Sequence, residues 1–437
     1  MITLYLQKLR MFSRDACLFL LTYSLWGAFF GIHGVLFNLY LLRLGYGPEF
    51  VGWVNGAGRL TFGLSSLPAG ALGGRLGHRR TIIVGMCLGV AGFGLLPLAE
   101  LIPVALREGW VLATFSLGWL GGALYVVNGN PFLMGATTTA ERNHAFSVRE
   151  ALIPLAGFAG SLVGGLLPAL LVRVFGVSLD QPAPYRYPLL LAAALLIPGV
   201  PTLLATHEVA TEEKQKRTAR VGAAPYGLIA LLALVMLLRS TGAEVTFFNV
   251  YLDVGLHVPT PLIGVLMAVG QTLAVPSVLI VPLLIERWGQ FRAVLVGTIG
   301  MALSLLPLAL LPHWGAAGLG YVGALALGLI VRPAFTVYTQ EIVPPESRAL
   351  MSGATTMASG LSTSAMAFGG GYLIAALGYP GLFLTGAGLA GFGALLFWTY
   401  FRVPRGGLAL LALGEGARSS SHTSRGLLVS SPNTRSS

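Results

Sequence analysis

The sequence predicts an all-α polytopic membrane protein: twelve transmembrane helices in two pseudo-symmetric six-helix bundles. Three observations predict it. Of the 437 residues, 55% are hydrophobic and only 10% are charged, with a mean hydropathy of +0.78, whereas a soluble domain carries about a quarter charged residues. The apolar residues fall in runs of about 18 or more, long enough to cross hydrocarbon as helices that satisfy their own amides, and they lack the alternation of membrane-barrel strands. Finally, the chain repeats itself. Aligning Arg75 with Arg287 also aligns Gly77 with Gly289, Arg80 with Arg292, Gly85 with Gly297, Gly52 with Gly264 and Gly58 with Gly270. A one-residue slip brings Phe37-Asn38-Leu39-Tyr40-Leu41 onto Phe248-Asn249-Val250-Tyr251-Leu252.

The segments are expected at 16–42, 49–73, 81–99, 109–134, 146–173 and 187–205, then at 226–252, 261–284, 293–311, 316–340, 349–376 and 381–402. Lys8, Arg10 and Arg14 precede the first, whose apolar stretch is too long for a signal-peptide core, so it stays as a helix. The polar interval that begins at Thr206 carries Glu208, Glu212, Glu213, Lys214, Lys216, Arg217 and Arg220 and reads as a linker. The division is therefore an N-terminal bundle at 1–205, a cytoplasmic linker at 206–225, a C-terminal bundle at 226–404 and a tail at 405–437 that reads as disordered.

The net charge of +11 is a topology signal rather than a nucleic-acid footprint. Twenty Lys and Arg residues lie on the side of the termini, against four on the other: Arg43, Arg107, Arg173 and Arg186. Both termini are expected in the cytoplasm. The cysteines, Cys17 and Cys87, sit in apolar segments without metal-ligand spacing and read as packing residues. No phosphate-binding Gly-x-x-x-x-Gly-Lys-Ser/Thr run occurs. Neither cofactor nor metal nor enzyme chemistry is expected.

The turn at 70–80 reads Gly-Ala-Leu-Gly-Gly-Arg-Leu-Gly-His-Arg-Arg and joins two apolar segments. It resembles the loop between helices 2 and 3 of the major facilitator superfamily, usually Gly-x-x-x-Asp-Arg-x-Gly-Arg-Arg. Gly70, Gly74, Arg75, Gly77, Arg79 and Arg80 carry the resemblance, and Glu286, Arg287, Gly289 and Arg292 form its second copy. In that family the acidic residue latches the cytoplasmic side. Here Gly74 replaces it, so the resemblance implies an asymmetric latch centred on Glu286 and Arg287. The run Gly160-Ser161-Leu162-Val163-Gly164-Gly165 looks like the family's antiporter motif, with Ser161 in place of proline, and leans the reading towards export.

Charged residues deep in the membrane cost about 2.5–3.5 kcal/mol each on insertion scales, so each that persists needs a partner or a polar cavity. Arg59, Arg239, Glu244 and Arg332 qualify. On a straight helix Arg239 and Glu244 stand about 140° apart and would not pair unless Gly242 bends the backbone. The resemblance implies a central cavity lined by His33, Asn38, Asn128, Arg239, Glu244 and Arg332, with Asn55 and Arg59 at its rim. Burial raises a carboxyl pKa and a nearby arginine lowers it, so Glu244 is the candidate for proton coupling. Three arginines against one carboxylate favour an anionic or zwitterionic solute.

The expectation is therefore a proton-coupled secondary transporter that moves a small organic solute by alternating access, its direction unresolved with a lean to export by proton antiport. A pH-independent facilitator or importer of an organic anion is the alternative, as is a non-transporting receptor or scaffold. The expected partners are a small-molecule substrate, protons and the lipid bilayer, with no nucleic acid. The chain is expected as a monomer in a bacterial inner membrane, since lysine is scarce beside arginine, three against twenty-four.

Overall fold

The computed structural model describes residues 12–208, 225–344 and 347–402. The predicted tail and most of the predicted linker lie outside the described residues. Those described form helices and turns, with no strand among them. Nine stretches are long and apolar enough to cross a membrane, so the architecture is that of an all-α, multi-pass membrane protein.

Helix α1 (Arg14–Arg43) starts where the Ser13 side chain accepts from the Ala16 amide, with Asp15 in its first turn, both favourable at the positive end of a helix. Helix α2 (Pro48–Leu76) begins with proline, whose missing amide costs nothing at a first helical position. Next come α3 (His78–Leu95), a 3₁₀ turn at Leu96–Leu101, α4 (Val104–Ala136) and α5 (Thr139–Phe175). The sixth predicted segment is split into α6 (Ala183–Ala194) and α7 (Gly199–Leu204).

The seventh segment is split as well, into α8 (Tyr226–Arg239) and α9 (Ala243–Val250), followed by a π-helical turn at Tyr251–Gly255. Predicted segments eight and nine run together as α10 (Thr260–Leu310), and eleven and twelve as α12 (Arg348–Phe401), with α11 (Trp314–Ile342) between them. At about 1.5 Å per residue α12 would be roughly 80 Å long if straight, far beyond a hydrocarbon core of about 30 Å. Non-helical glycines divide both: Gly289 in α10 and Gly378 in α12.

The repeat read from sequence returns here as conformation. Gly77, between α2 and α3, has φ 91° and ψ 143°, and its aligned partner Gly289 has φ 73° and ψ 161°. A side chain at either would be strained, so glycine is what lets each pair of helices reverse.

Helix α1 packs on α5, and α4 on α2 and α3; in the second half α10 packs on α11, and α12 on α8 and α10. The halves meet where α5 crosses α10 and α2 crosses α12. One apolar core passes between the halves, through Phe29, Phe37, Phe115, Phe247, Tyr251 and Phe383. A smaller one, including Leu232, Val235, Val331, Phe335, Tyr338 and Phe397, belongs to the second half alone. Cys17 and Cys87 are exposed on α1 and α3 rather than packed inside, because the helix faces that carry them turn away from both cores.

Candidate functional site

The central feature is the break between α8 and α9. Ser240, Thr241 and Gly242 have little helix preference, and Gly242 adopts φ 62° and ψ 24°, the left-handed region open to glycine. Around the break lies a cavity of about 170 Å³ lined by Arg239, Ser240, Thr241, Glu244, Leu305 and Thr363, among others. Discontinuous helices of this kind recur at midplane sites of membrane transporters.

Arg239 and Glu244 are both buried, at 4% and 7% exposure. The bend at Gly242 brings them to one cavity without pairing them. No ion pair within 4.0 Å involves Arg59, Arg239, Glu244 or Arg332 among the described residues. Glu244 accepts from its own backbone amide and lies within electrostatic range of Arg59 on α2 and of Tyr321 on α11. Arg239 stacks its guanidinium 4.9 Å from the centre of the Phe335 ring, while its Nε has no hydrogen-bond partner. Such a stack offsets about 0.5–2 kcal/mol, less than the roughly 2.5–3.5 kcal/mol that inserting the charge costs.

Arg332, three residues before Phe335 on α11, is exposed. It nevertheless lies within electrostatic range of both Arg239 and Tyr23 on α1. Tyr23 is also reached from its own half by Arg149, 5.3 Å from the ring centre, whose guanidinium bonds Asn130 and Glu150.

The polar residues expected to line the cavity divide into three groups. Asn38 donates to the Thr246 carbonyl at 2.8 Å and to Asn249 Oδ1 at 3.0 Å, and accepts from Asn55 at 2.9 Å. Asn249 returns the bond across the halves, donating to the Gly34 and Val35 carbonyls at 3.0 Å each. Asn38 and Asn249 are partners in the sequence repeat. His33 is boxed by Phe29, Phe37, Phe93 and Phe115 at ring-centre distances of 4.7–5.9 Å, and its Nε2 has no hydrogen-bond partner among the described residues.

Asn128 requires a correction. It is fully buried, donates to the Ala69 and Leu124 carbonyls at 3.0 Å, and meets His78 Nδ1 at 2.9 Å. Its bonds to Ala69 and His78 clamp α4 to α2 and α3, and its other amide hydrogen is taken by Leu124 of its own helix, so both donors are spent away from a solute.

Sequence reasoning missed the strongest contact between the halves. Arg43, at the end of α1, makes a two-pronged ion pair with Asp253 at 2.7 and 2.8 Å and donates to the Leu179 carbonyl at 3.0 Å. Nearby, Trp53 donates to the Tyr372 hydroxyl at 2.8 Å, and Gln271 to Ser161 Oγ at 2.7 Å. Backbones touch too: a Cβ on Gly264 would stand 2.6 Å from Gly165 Cα, and one on Gly371 would stand 2.5 Å from the Pro48 carbonyl. All of these lie towards the ends of α1 and α5 and the starts of α2 and α10, here called the distal side.

The opposite side carries the basic turns. Gly70, Gly74, Arg75, Arg80, Glu286, Arg287 and Arg292 are exposed there, and neither Glu286 nor Arg287 enters an ion pair among the described residues. Arg79 donates to the Leu204 carbonyl at 2.6 Å, and its amide bonds Glu208 at 3.3 Å. Glu208 thus supplies a carboxylate at the start of α3, where Gly74 supplies none.

Residues 18–367 match the family profile of the Major Facilitator Superfamily. Among solved structures, a mutant of the nucleoside transporter NupG superposes with a TM-score of 0.71 at 13% identity, covering 89% of this chain and 99% of that one. A D-xylose-proton symporter gives 0.70 at 14% identity, covering 88% and 97%. An inward-open form of the xylose transporter XylE from E. coli gives 0.68 at 14%, covering 88% and 95%. At such identities the likeness is one of fold. A sequence comparison with curated proteins found no match.

Proposed function

The chain belongs to the major facilitator superfamily and is a membrane transporter rather than an enzyme; from that premise we propose that it moves a small organic solute by alternating access, coupled to protons through Glu244. The observation that carries this reading is the one-sided interface. Hydrogen bonds, an ion pair and backbone contacts join the halves distally, while on the other side Arg75, Arg80, Glu286, Arg287 and Arg292 are exposed and make no ion pair among the described residues. By the Lys and Arg count the distal side is extracytoplasmic, so this is the inward-facing arrangement of a chain with both termini in the cytoplasm. The proposed setting is a bacterial inner membrane, and the proposed working unit is a monomer.

Glu244 suits a proton carrier because it has no ion-pair partner and begins a short helix at the break. The charged and titratable groups facing it are Arg59 across the interface and Tyr321 on α11. Rocking the halves changes the distance to Arg59, and with it the relative stability of the two protonation states. The lean towards export loses its sequence basis, because the glycines of 160–165 are spent on packing. Gly160 abuts the Ala28 carbonyl, Gly164 abuts Ile32, and Gly165 abuts Gly264. Net direction then follows the larger gradient, and the neighbouring structures include a protein named as a proton symporter.

Purified protein in vesicles tests this, with solutes first screened by thermal shift. The expected result is solute-dependent proton movement that falls to background in Glu244→Gln while the solute-induced thermal shift persists. Coupling unchanged in that variant would refute the role of Glu244. Saturable binding without any flux would refute transport itself.

A further inference from the structure

We propose that the cavity at the α8–α9 break is a binding site for a small monoanion, a halide or a carboxylate group, held by Arg239 with the Thr241 hydroxyl. The cavity lies inside the second half, walled by residues of α8 to α12 such as Leu305, Ala324 and Thr363, rather than between the halves. At about 170 Å³ it exceeds many times the ~10–15 Å³ one water needs. It has room for an anion of several heavy atoms.

Charge supplies the second argument. Arg239 is 96% buried by its 4% exposure, its Nε is unpartnered, and no carboxylate pairs with it. Glu244 lines the same cavity wall and makes no ion pair with Arg239. Arg239 is thus a buried cation with no carboxylate within ion-pair distance, and buried charges are ordinarily paired. Thr241, buried at the break, adds a hydroxyl, and Met301 and Leu305 add an apolar wall. One guanidinium and an apolar wall suit a weakly hydrated monoanion and disfavour sulfate or phosphate.

The test uses the full chain in detergent and needs no flux, so it stands or falls separately from proton-coupled transport. Melting temperature is followed against sodium bromide and against sodium formate, with bulky gluconate holding ionic strength constant. The expected result is a saturable rise over gluconate, absent with sulfate, that is lost in Arg239→Gln. In Thr241→Val the half-saturating concentration should rise about tenfold, the worth of one hydrogen bond to a charged group. That variant decides the matter should Arg239→Gln fail to fold. A response to bromide and formate identifies a site for free anions; a response to formate alone identifies the seat of a solute carboxylate. Curves that match gluconate for both salts, or a rise that survives unchanged in the variants that fold, would overturn the proposal.

Discussion

The two ends of the interface between the halves are built differently. At the distal end Arg43 and Asp253 pair through two hydrogen bonds, Asn38, Asn55 and Asn249 exchange amides, and glycines bring α5 onto α10 without side chains between them. At the other end stand exposed arginines and the unpaired Glu286. The halves are joined by specific polar contacts at the distal end, and among the described residues by no ion pair or side-chain hydrogen bond at the other. On the proposed rocking mechanism the distal set must break and another form, so the distal contacts would set how much of the time the protein spends open on each side.

The largest expected effect comes from removing one partner of the distal ion pair. Asp253→Asn leaves the Arg43 guanidinium, with 20% side-chain exposure, facing a neutral amide. The distal-closed state should lose roughly 2–4 kcal/mol, somewhat below the 3–5 kcal/mol of a fully buried pair. Exchanging the charges, Arg43→Asp with Asp253→Arg, should restore most of it. Accessibility of a distal cysteine to a membrane-impermeant maleimide measures this, and a double exchange no better than the single change would break the comparison.

A smaller effect is expected at Gly264. Gly264→Val forces three carbons into a backbone contact, at a cost of about 1–3 kcal/mol as overpacking. The same substitution at Gly353, whose added Cβ would meet nothing within 4 Å, should be several-fold milder in a parallel melting series. Equal losses would mean that the α5–α10 crossing is not tight.

Much of the fold was legible because it is written as repetition. The alignment of Gly77 with Gly289 anticipated two turns with the same left-handed backbone, and the pairing of Asn38 with Asn249 anticipated residues that meet across the interface. The break at 240–242 was not legible: the apolar run predicts one helix over 226–252, with Gly242 only as the place where a bend could occur. The Arg43–Asp253 pair was not legible either, since 210 residues separate its members and each, taken alone, reads as a loop charge. Asn128 misled for a related reason: a polar residue on an apolar helix faces either a cavity or the backbone of a neighbour, and only packing decides. The exposed cysteines failed the expectation of burial because in a membrane the outward face of a helix is as apolar as its core.

The smallest effect belongs to the turns. Glu286→Gln should leave melting within about 0.5 kcal/mol, as exposed charges contribute little, yet slow transport if Glu286 pairs when this end closes. A large loss of stability instead would place Glu286 in the fold rather than in a latch.

Reciprocal opening can be measured directly by pulsed electron resonance on a variant in which Cys17 and Cys87 are replaced by serine. One nitroxide pair at Asp180 and Pro312 would report the distal end, and another at Arg75 and Arg287 the basic turns. Adding a bound solute with a proton gradient should lengthen the first distance distribution while shortening the second. Two distributions that shift in the same sense, or that both stay fixed while flux is observed, would contradict a pair of halves rocking about a central site.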